Sequence, residues 1–360
     1  MRVVLGTLGC ALAVAVGLLV WRWGAAHNRH APSAAVVVQT PVGASAGHAP
    51  GTPIDKGPTN VYAHDLLLRK GPDFRIYIPW FRGQMVRTNP KVIPSFDDLD
   101  SFYLNVKAGV IHANIGDIGN FMNDSGASSH SPLKNMKLSG DGNLIHLKGT
   151  LHKLLIPIPI ELVGQISAAP NDEIHIHVTK LNVLKIPFKG LLGAFHVQLS
   201  DLFNPKDSAG IRVKGNDIFL DTEKLLPPPH IRGALTSVRI VNPDLEVVYG
   251  KGKSEVKREV EHVQQWRNFL RLRDGTLDFG KLTMHHVDII MVDISKDAWF
   301  DLDLAHYQDQ MVYGYTHMTP NAGLQIFMPD VDQLPKKAKS ISLQWVKHRN
   351  EPPPPGVYSK

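Results

Sequence analysis

Apolar side chains recur at every second position over long stretches of this chain. Phe102, Leu104 and Val106 alternate with polar or small residues, and Leu144-Ile145-His146-Leu147-Lys148 follows an Asp141-Gly142-Asn143 turn. Ile156, Ile158, Ile160 and Leu162 share one face of a segment whose other face carries Pro157, Pro159 and Glu161. Ile174, Ile176 and Val178 repeat the pattern, with His175, His177 and Thr179 opposite. A period of two means strands with one face buried. Two prolines two residues apart remove donors from one side of a strand, so 156–162 is expected at a sheet margin.

Further strands are expected at 211–213 and 218–220, about the Lys214-Gly215-Asn216-Asp217 turn. A hairpin of 237–241 and 245–249 turns at Asn242-Pro243-Asp244. More strands are expected at 276–280, 282–284, 287–292, 311–315, 324–328 and 341–345. Helical spacing occurs at Ile111, Ile115, Ile118 and Met122, and again at Leu191, Phe195, Leu199 and Leu202. Val256, Val260, Val263 and Leu270 predict a basic amphipathic helix over 251–273, either solvated and packed through its valines or lying on an anionic membrane surface.

Residues 3–20 carry no charge, lie between Arg2 and Trp21-Arg22-Trp23, and would span roughly 27 Å as a helix. That length exceeds the apolar core of a usual cleaved signal and favours a retained anchor, although Gly24-Ala25-Ala26 offers a small-residue cleavage site. The expected organisation is an anchor or signal over 1–26, a flexible Ala/Pro/Gly/Ser-rich linker over 27–60, and a curved-sheet domain over 61–250. The basic helix at 251–273, a β-rich unit over 274–348 and a disordered tail over 349–360 follow. The fold class is expected to be α+β: strongly curved antiparallel β-sheets wrapped around amphipathic helices, with an N-terminal transmembrane helix. The expected location is the inner membrane, held by a single N-terminal span, with the body in the periplasm.

Cys10 is the only cysteine, so the body has no disulfide framework, thiolate metal site or cysteine nucleophile. A net charge of +6 permits contact with anionic headgroups without demanding nucleic acid, and no nucleic-acid-binding signature is present. No nucleophile elbow, phosphate loop, His-Glu-x-x-His or dinucleotide fingerprint occurs, so no enzyme activity and no cofactor are expected. His175 and His177 share a strand face and could hold Zn²⁺ with a third ligand. None is recognisable nearby, and no metal site is assigned. Asp301 and Asp303 would share a face of an extended 299–304 segment, where they fit a polar loop better than paired-carboxylate chemistry.

Three stretches carry a family resemblance. These are Lys185-Ile186-Pro187-Phe188 running into Leu191-Leu192-Gly193-Ala194-Phe195; Ile211 through Asp221; and Leu225-Leu226-Pro227 followed by Ile231-Arg232-Gly233 and Val238-Arg239-Ile240. Over about 150 residues the pattern resembles the LmeA-like bacterial phospholipid-binding family, related in architecture to the tubular lipid-binding proteins. The resemblance implies an antiparallel sheet curled around a helix and an apolar groove for acyl chains. On physical grounds alone, a curved sheet with little helical cover must meet a helix, another sheet or a lipid. The groove is expected to be lined by Ile156, Ile158, Ile160, Ile174, Ile176, Val178, Leu191, Phe195 and Leu199. The expected function is non-catalytic binding, possible transfer included, of membrane phospholipid or a similar amphiphile. The competing expectation is a scaffolding envelope protein that binds a protein partner through its sheets.

Overall fold

A computed structural model describes residues 57–69, 74–124, 133–153, 156–183, 199, 210–225, 228–250, 266–280, 282–295 and 297–334. All belong to one compact unit, Ile54–Lys360. The apolar run at 3–20, the linker to residue 56, the 191–202 helix apart from Leu199, residues 251–265, the 341–345 strand and the tail lie outside the described residues. Among the described residues, no helix is long and apolar enough to cross a membrane.

In chain order the first elements are β1 (Thr59–Arg69), β2 (Arg75–Arg87), β3 (Phe102–Asn114), α1 (Ile115–Asp124), β4 (Leu133–Asp141), β5 (Leu144–Lys153), β6 (Ile156–Ala169) and β7 (Glu173–Val183). Next come β8 (Ile211–Lys214), β9 (Asp217–Asp221), the single turn α2 (Thr222–Leu225), β10 (His230–Gly233), β11 (Leu235–Val241) and β12 (Asp244–Tyr249). The chain continues with β13 (Phe269–Arg273), β14 (Thr276–Phe279), β15 (Leu282–His285), β16 (Asp288–Asp293), β17 (Phe300–Asp303), α3 (Tyr307–Tyr313), β18 (Tyr315–Met318) and β19 (Leu324–Met328). The described body is thus mostly β-sheet with few helices, a smaller helical share than the expected α+β class implies.

Among the described residues the larger sheet has eleven strands, along the path β11-β12-β3-β2-β1-β13-β16-β19-β18. The long strands β1 and β3 each take two partners on one side: β10 covers the first half of β3 and β12 the second, while β13 and β17 divide β1. A six-stranded sheet runs β4-β5-β6-β7-β9-β8, and β14 pairs with β15 and is bridged to Ser95 through Asp278. Most pairs are antiparallel as expected, but β1–β17, β3–β10 and β16–β19 are parallel. Strands β13 and β16–β19 therefore extend the sheet begun by β1–β3. Leu272, Ile289, Phe300, Leu302, Ile326 and Met328 supply fully buried side chains to one continuous core. Each contributes about 1.5–3 kcal/mol relative to exposure.

Four local expectations are corrected. Ile111 lies in β3, opposite Val247, and the helix starts only at Ile115. The Asn114 side-chain oxygen accepts from the backbone N–H groups of Gly116 (2.9 Å) and Asp117 (3.2 Å), which fixes the helix start there. Second, β6 is interior, not marginal. Pro157 and Pro159 pair with His152 and Thr150 of β5, while the described part of β7 begins pairing only at Ile160, so both prolines sit beyond its end. Third, residues 307–313 are helical where a strand was expected from Met311. Tyr307 and Gln310, one helical turn apart, are the buried pair. Fourth, residues 269–273 are strand β13 rather than the end of the basic helix, with Phe269, Leu270 and Leu272 all buried.

A buried polar cluster closes the end of β1, β17 and β19. Gln310 donates to the carbonyls of Asp301 (2.7 Å) and Pro329 (2.8 Å) and accepts from the Asp303 N–H (3.0 Å). The Asp330 carboxylate accepts from the Asp301 N–H at 3.1 Å. Burial, and next the nearby Asp293 carboxylate, push Asp330 up from 3.8 to about 7. A raised folded value means the folded state holds the proton more tightly, so this group's contribution to stability falls as pH rises from about 4 to about 7. Asp330→Asn keeps an acceptor for Asp301 and removes the titration. Thermal melts at pH 5 and pH 8 should show its advantage over the wild type growing with pH; an equal loss at both would refute this account.

Candidate functional site

Between the two sheets lies an apolar cavity of about 220 Å³. One wall comes from the larger sheet: Phe74 and Ile76 at β2, Ile111 and Ala113 on β3, Ile231 on β10, and Leu245, Val247 and Tyr249 on β12. The facing wall comes from β4–β9, with Met136, Ile145, Ile160, Ile174, Ile176 and Ile218 among its residues. Helix α1 closes one side through Ile115, Ile118, Phe121 and Met122, all on one stripe. Its C-terminal end is tied to β4 by Asn123, whose side chain bonds both the N–H (2.8 Å) and the carbonyl (2.7 Å) of Met136.

The alternation that makes the strands also makes the cavity: in β7, Ile174 and Ile176 point inward and His175 and His177 point outward. The sheets approach each other along β11 and β6, and Gly140 of β4 meets Ile240 of β11 and Ile115 of α1. A Cβ on Gly140 would fall 2.7 Å from Ile240 Cγ2, so a side chain there would wedge the sheets apart. Away from that contact the facing isoleucines do not close the gap.

Among the described residues the lining carries no charge. Its polar atoms are the hydroxyls of Thr222 and Tyr249, which hydrogen-bond to each other. Burial pushes the Tyr249 phenol up to about 12, so it stays neutral. The rim at β9 and α2 carries ion pairs that satisfy themselves, Lys224–Asp221 at 2.6 Å and Arg232–Glu223 at 2.5 Å. An apolar cavity of about 150 Å³ already stays dry and admits benzene. This one is larger, and water inside it would lack the partners it needs. Ile176, Ile218 and Leu220, at the β7–β9 end, are only half-buried.

Of the residues expected to line a groove, Ile160, Ile174, Ile176 and Leu199 reach this cavity. Val178 is buried beside it, in a cluster with Leu133, Leu151 and Leu162, and Ile158 packs half-buried against that cluster; neither forms part of the wall. Leu191, Phe195 and the side chain of Ile156 lie outside the described residues. The wall from β2, β3 and β12 was not anticipated, although Leu245, Val247 and Tyr249 alternate visibly. Asp301 and Asp303 lie buried in strand β17, not in the polar loop expected for them. Asp301 binds Arg69, and Asp303 accepts from the Ala305 N–H and contacts His306 Nδ1, both at 2.8 Å. Compared with family models, curated proteins and solved structures, the chain matches none significantly.

Proposed function

We propose that the body binds an acyl chain of a phospholipid or similar amphiphile in the cavity between its sheets, without catalysis, beside the membrane that its N-terminal segment anchors it to. In this reading the sheets are curved around α1, the resemblance to the LmeA-like family reflects a shared mode of binding, and the body lies on the periplasmic side of the inner membrane. The observation that carries it is the cavity itself: two sheets and a helix aim apolar side chains into one space and leave it unfilled. An unfilled apolar space forfeits dispersion contacts on every wall, and an acyl chain restores them. A scaffolding protein has no use for such a space, since a filled interior is more stable.

Each methylene moved from water into such a site contributes about 0.8 kcal/mol, but extraction from a bilayer is nearly neutral. The site therefore suits exchange rather than tight storage. Residues 54–360, purified without detergent, are expected to carry a stoichiometric lipid in native mass spectrometry, and lipid extraction would identify its class. A clean apo mass that persists after incubation with liposomes would overturn the reading and favour a protein partner.

A further inference from the structure

The outer face of the cavity wall holds a second constellation. His175 and His177 project from the solvent side of β7, and β9 runs antiparallel beside it with Asp217 directly opposite His177. One carboxylate oxygen, Asp217 Oδ1, lies 2.8 Å from His175 Nε2 and 2.8 Å from His177 Nδ1. All three donor atoms fall within 4.8 Å of one another. Forty residues separate His177 from Asp217, so the third ligand missing from the sequence is supplied by strand register alone.

The rings are pre-oriented. His175 stacks on Phe219 with centroids 4.9 Å apart and planes 17° from parallel. Its other nitrogen, Nδ1, lies 3.3 Å from the Ser167 hydroxyl on β6. That contact fixes which nitrogen faces Asp217, as outer partners do for metal-bound imidazoles. The two imidazoles lower the Asp217 pKa, keeping the carboxylate charged. The His177 side chain is 53% exposed, which leaves a path for an ion and its remaining water ligands.

We propose that His175, His177 and Asp217 bind one divalent transition-metal ion of the Zn²⁺ class, pinning β7 to β9. Two imidazole nitrogens and one carboxylate oxygen suit zinc, nickel or copper better than calcium or magnesium, which prefer all-oxygen shells. Metal–ligand bonds of about 2.0–2.1 Å in a tetrahedron place donor atoms about 3.3 Å apart. The two 2.8 Å spacings to Asp217 need to open by about 0.5 Å, and the two imidazole nitrogens, within 4.8 Å of each other, need to settle at the same separation, an adjustment the half-exposed His177 side chain can make. Because Ile176 and Ile218 form the inner side of the same strand pair, the ion fixes one wall of the cavity from outside.

The test uses the full chain, stripped with a chelator and exchanged into metal-free buffer at pH 7.5. Titration with ZnCl₂ against a chromophoric competitor should show one tight site per chain, weakened at least tenfold by His177→Ala and by Asp217→Asn. Exposed His317→Ala, on β18, should leave it unchanged. Zinc should raise the Tm of the wild type and not that of Asp217→Asn. Independently of any variant, Co²⁺ bound to the wild type should give the visible absorption of a low-symmetry nitrogen/oxygen site. Zinc binding that is no tighter in the wild type than in the two site variants, or a Co²⁺ spectrum matching the aqua ion, would overturn the proposal.

Discussion

The chain carrying Ile176→Asp and Ile218→Asp together should fold and purify without lipid. These residues are opposite each other on β7 and β9, both line the cavity, and both are half-buried. Neither position is fully buried, so the fold is not asked to bury the carboxylates completely. An acyl chain passing the same point would have to desolvate two charges, at several kcal/mol each, against about 0.8 kcal/mol gained per methylene. Lipid occupancy by native mass spectrometry should fall at least tenfold, with the circular-dichroism spectrum preserved. Ala113→Phe, on the opposite wall, reduces the space without adding charge and should lower occupancy in the same assay. Stoichiometric lipid in the folded double-aspartate chain would mean that the ligand lies elsewhere or that there is none.

The largest expected loss of stability is at Arg69. Its guanidinium forms a two-pronged bond to Asp301, at 2.7 and 2.5 Å, and also reaches Asp332 at 2.9 Å. The first pair is buried, with side-chain exposures of 13% and 9%, whereas Asp332 is 78% exposed. Arg69→Ala leaves the Asp301 carboxylate uncompensated beneath the sheet, a change that costs about 3–5 kcal/mol. For a body of this size that is a fall in Tm of about 5–8 °C. Asp332→Ala should cost under about 1 kcal/mol, because a solvent-screened partner contributes little. Arg69→Ala combined with Asp301→Asn should recover part of the loss by removing the orphaned charge. Equal melting shifts for the Arg69 and Asp332 single variants would show that burial is not what gives the first pair its value.

What the sequence made legible is what depends on neighbours along the chain. Strands β3, β5, β7, β9 and β12 follow from alternation, and the β8–β9 and β11–β12 turns follow from Gly215 and from Asn242-Pro243. The failures fall where two periods coincide or where distant partners decide. Ile111 and Ile115 satisfy both a helical and a strand spacing, and only the pairing of Ile111 with Val247 settles the choice. Pro157 and Pro159 sit on an interior strand paired with β5, which from sequence alone is indistinguishable from a sheet edge. Gln310 is an ordinary exposed residue by type, and three main-chain partners bury it. Ile160, Ile174 and Ile176 of the candidate lining were legible for the same reason as β7. The opposing wall, and Asp217 beside His177, depend on which strands meet, and composition carries no record of that.

The pairing of β1 with β13 and β17 sets a clock on synthesis. One side of β1 can zip onto β2 at once, but its other partners begin at Phe269 and Phe300. At about 5–20 residues per second, a nascent chain reaches them on the order of 10–50 s after Arg69 is made. For that interval β1 presents an open strand edge, the template on which chains aggregate, and closing it requires one of the most widely separated contacts in the molecule. Production of this protein should therefore be limited by how well that edge is shielded while the C-terminal third is still being translated, and shortening the chain from its C-terminal end should cost soluble yield well before it touches the cavity.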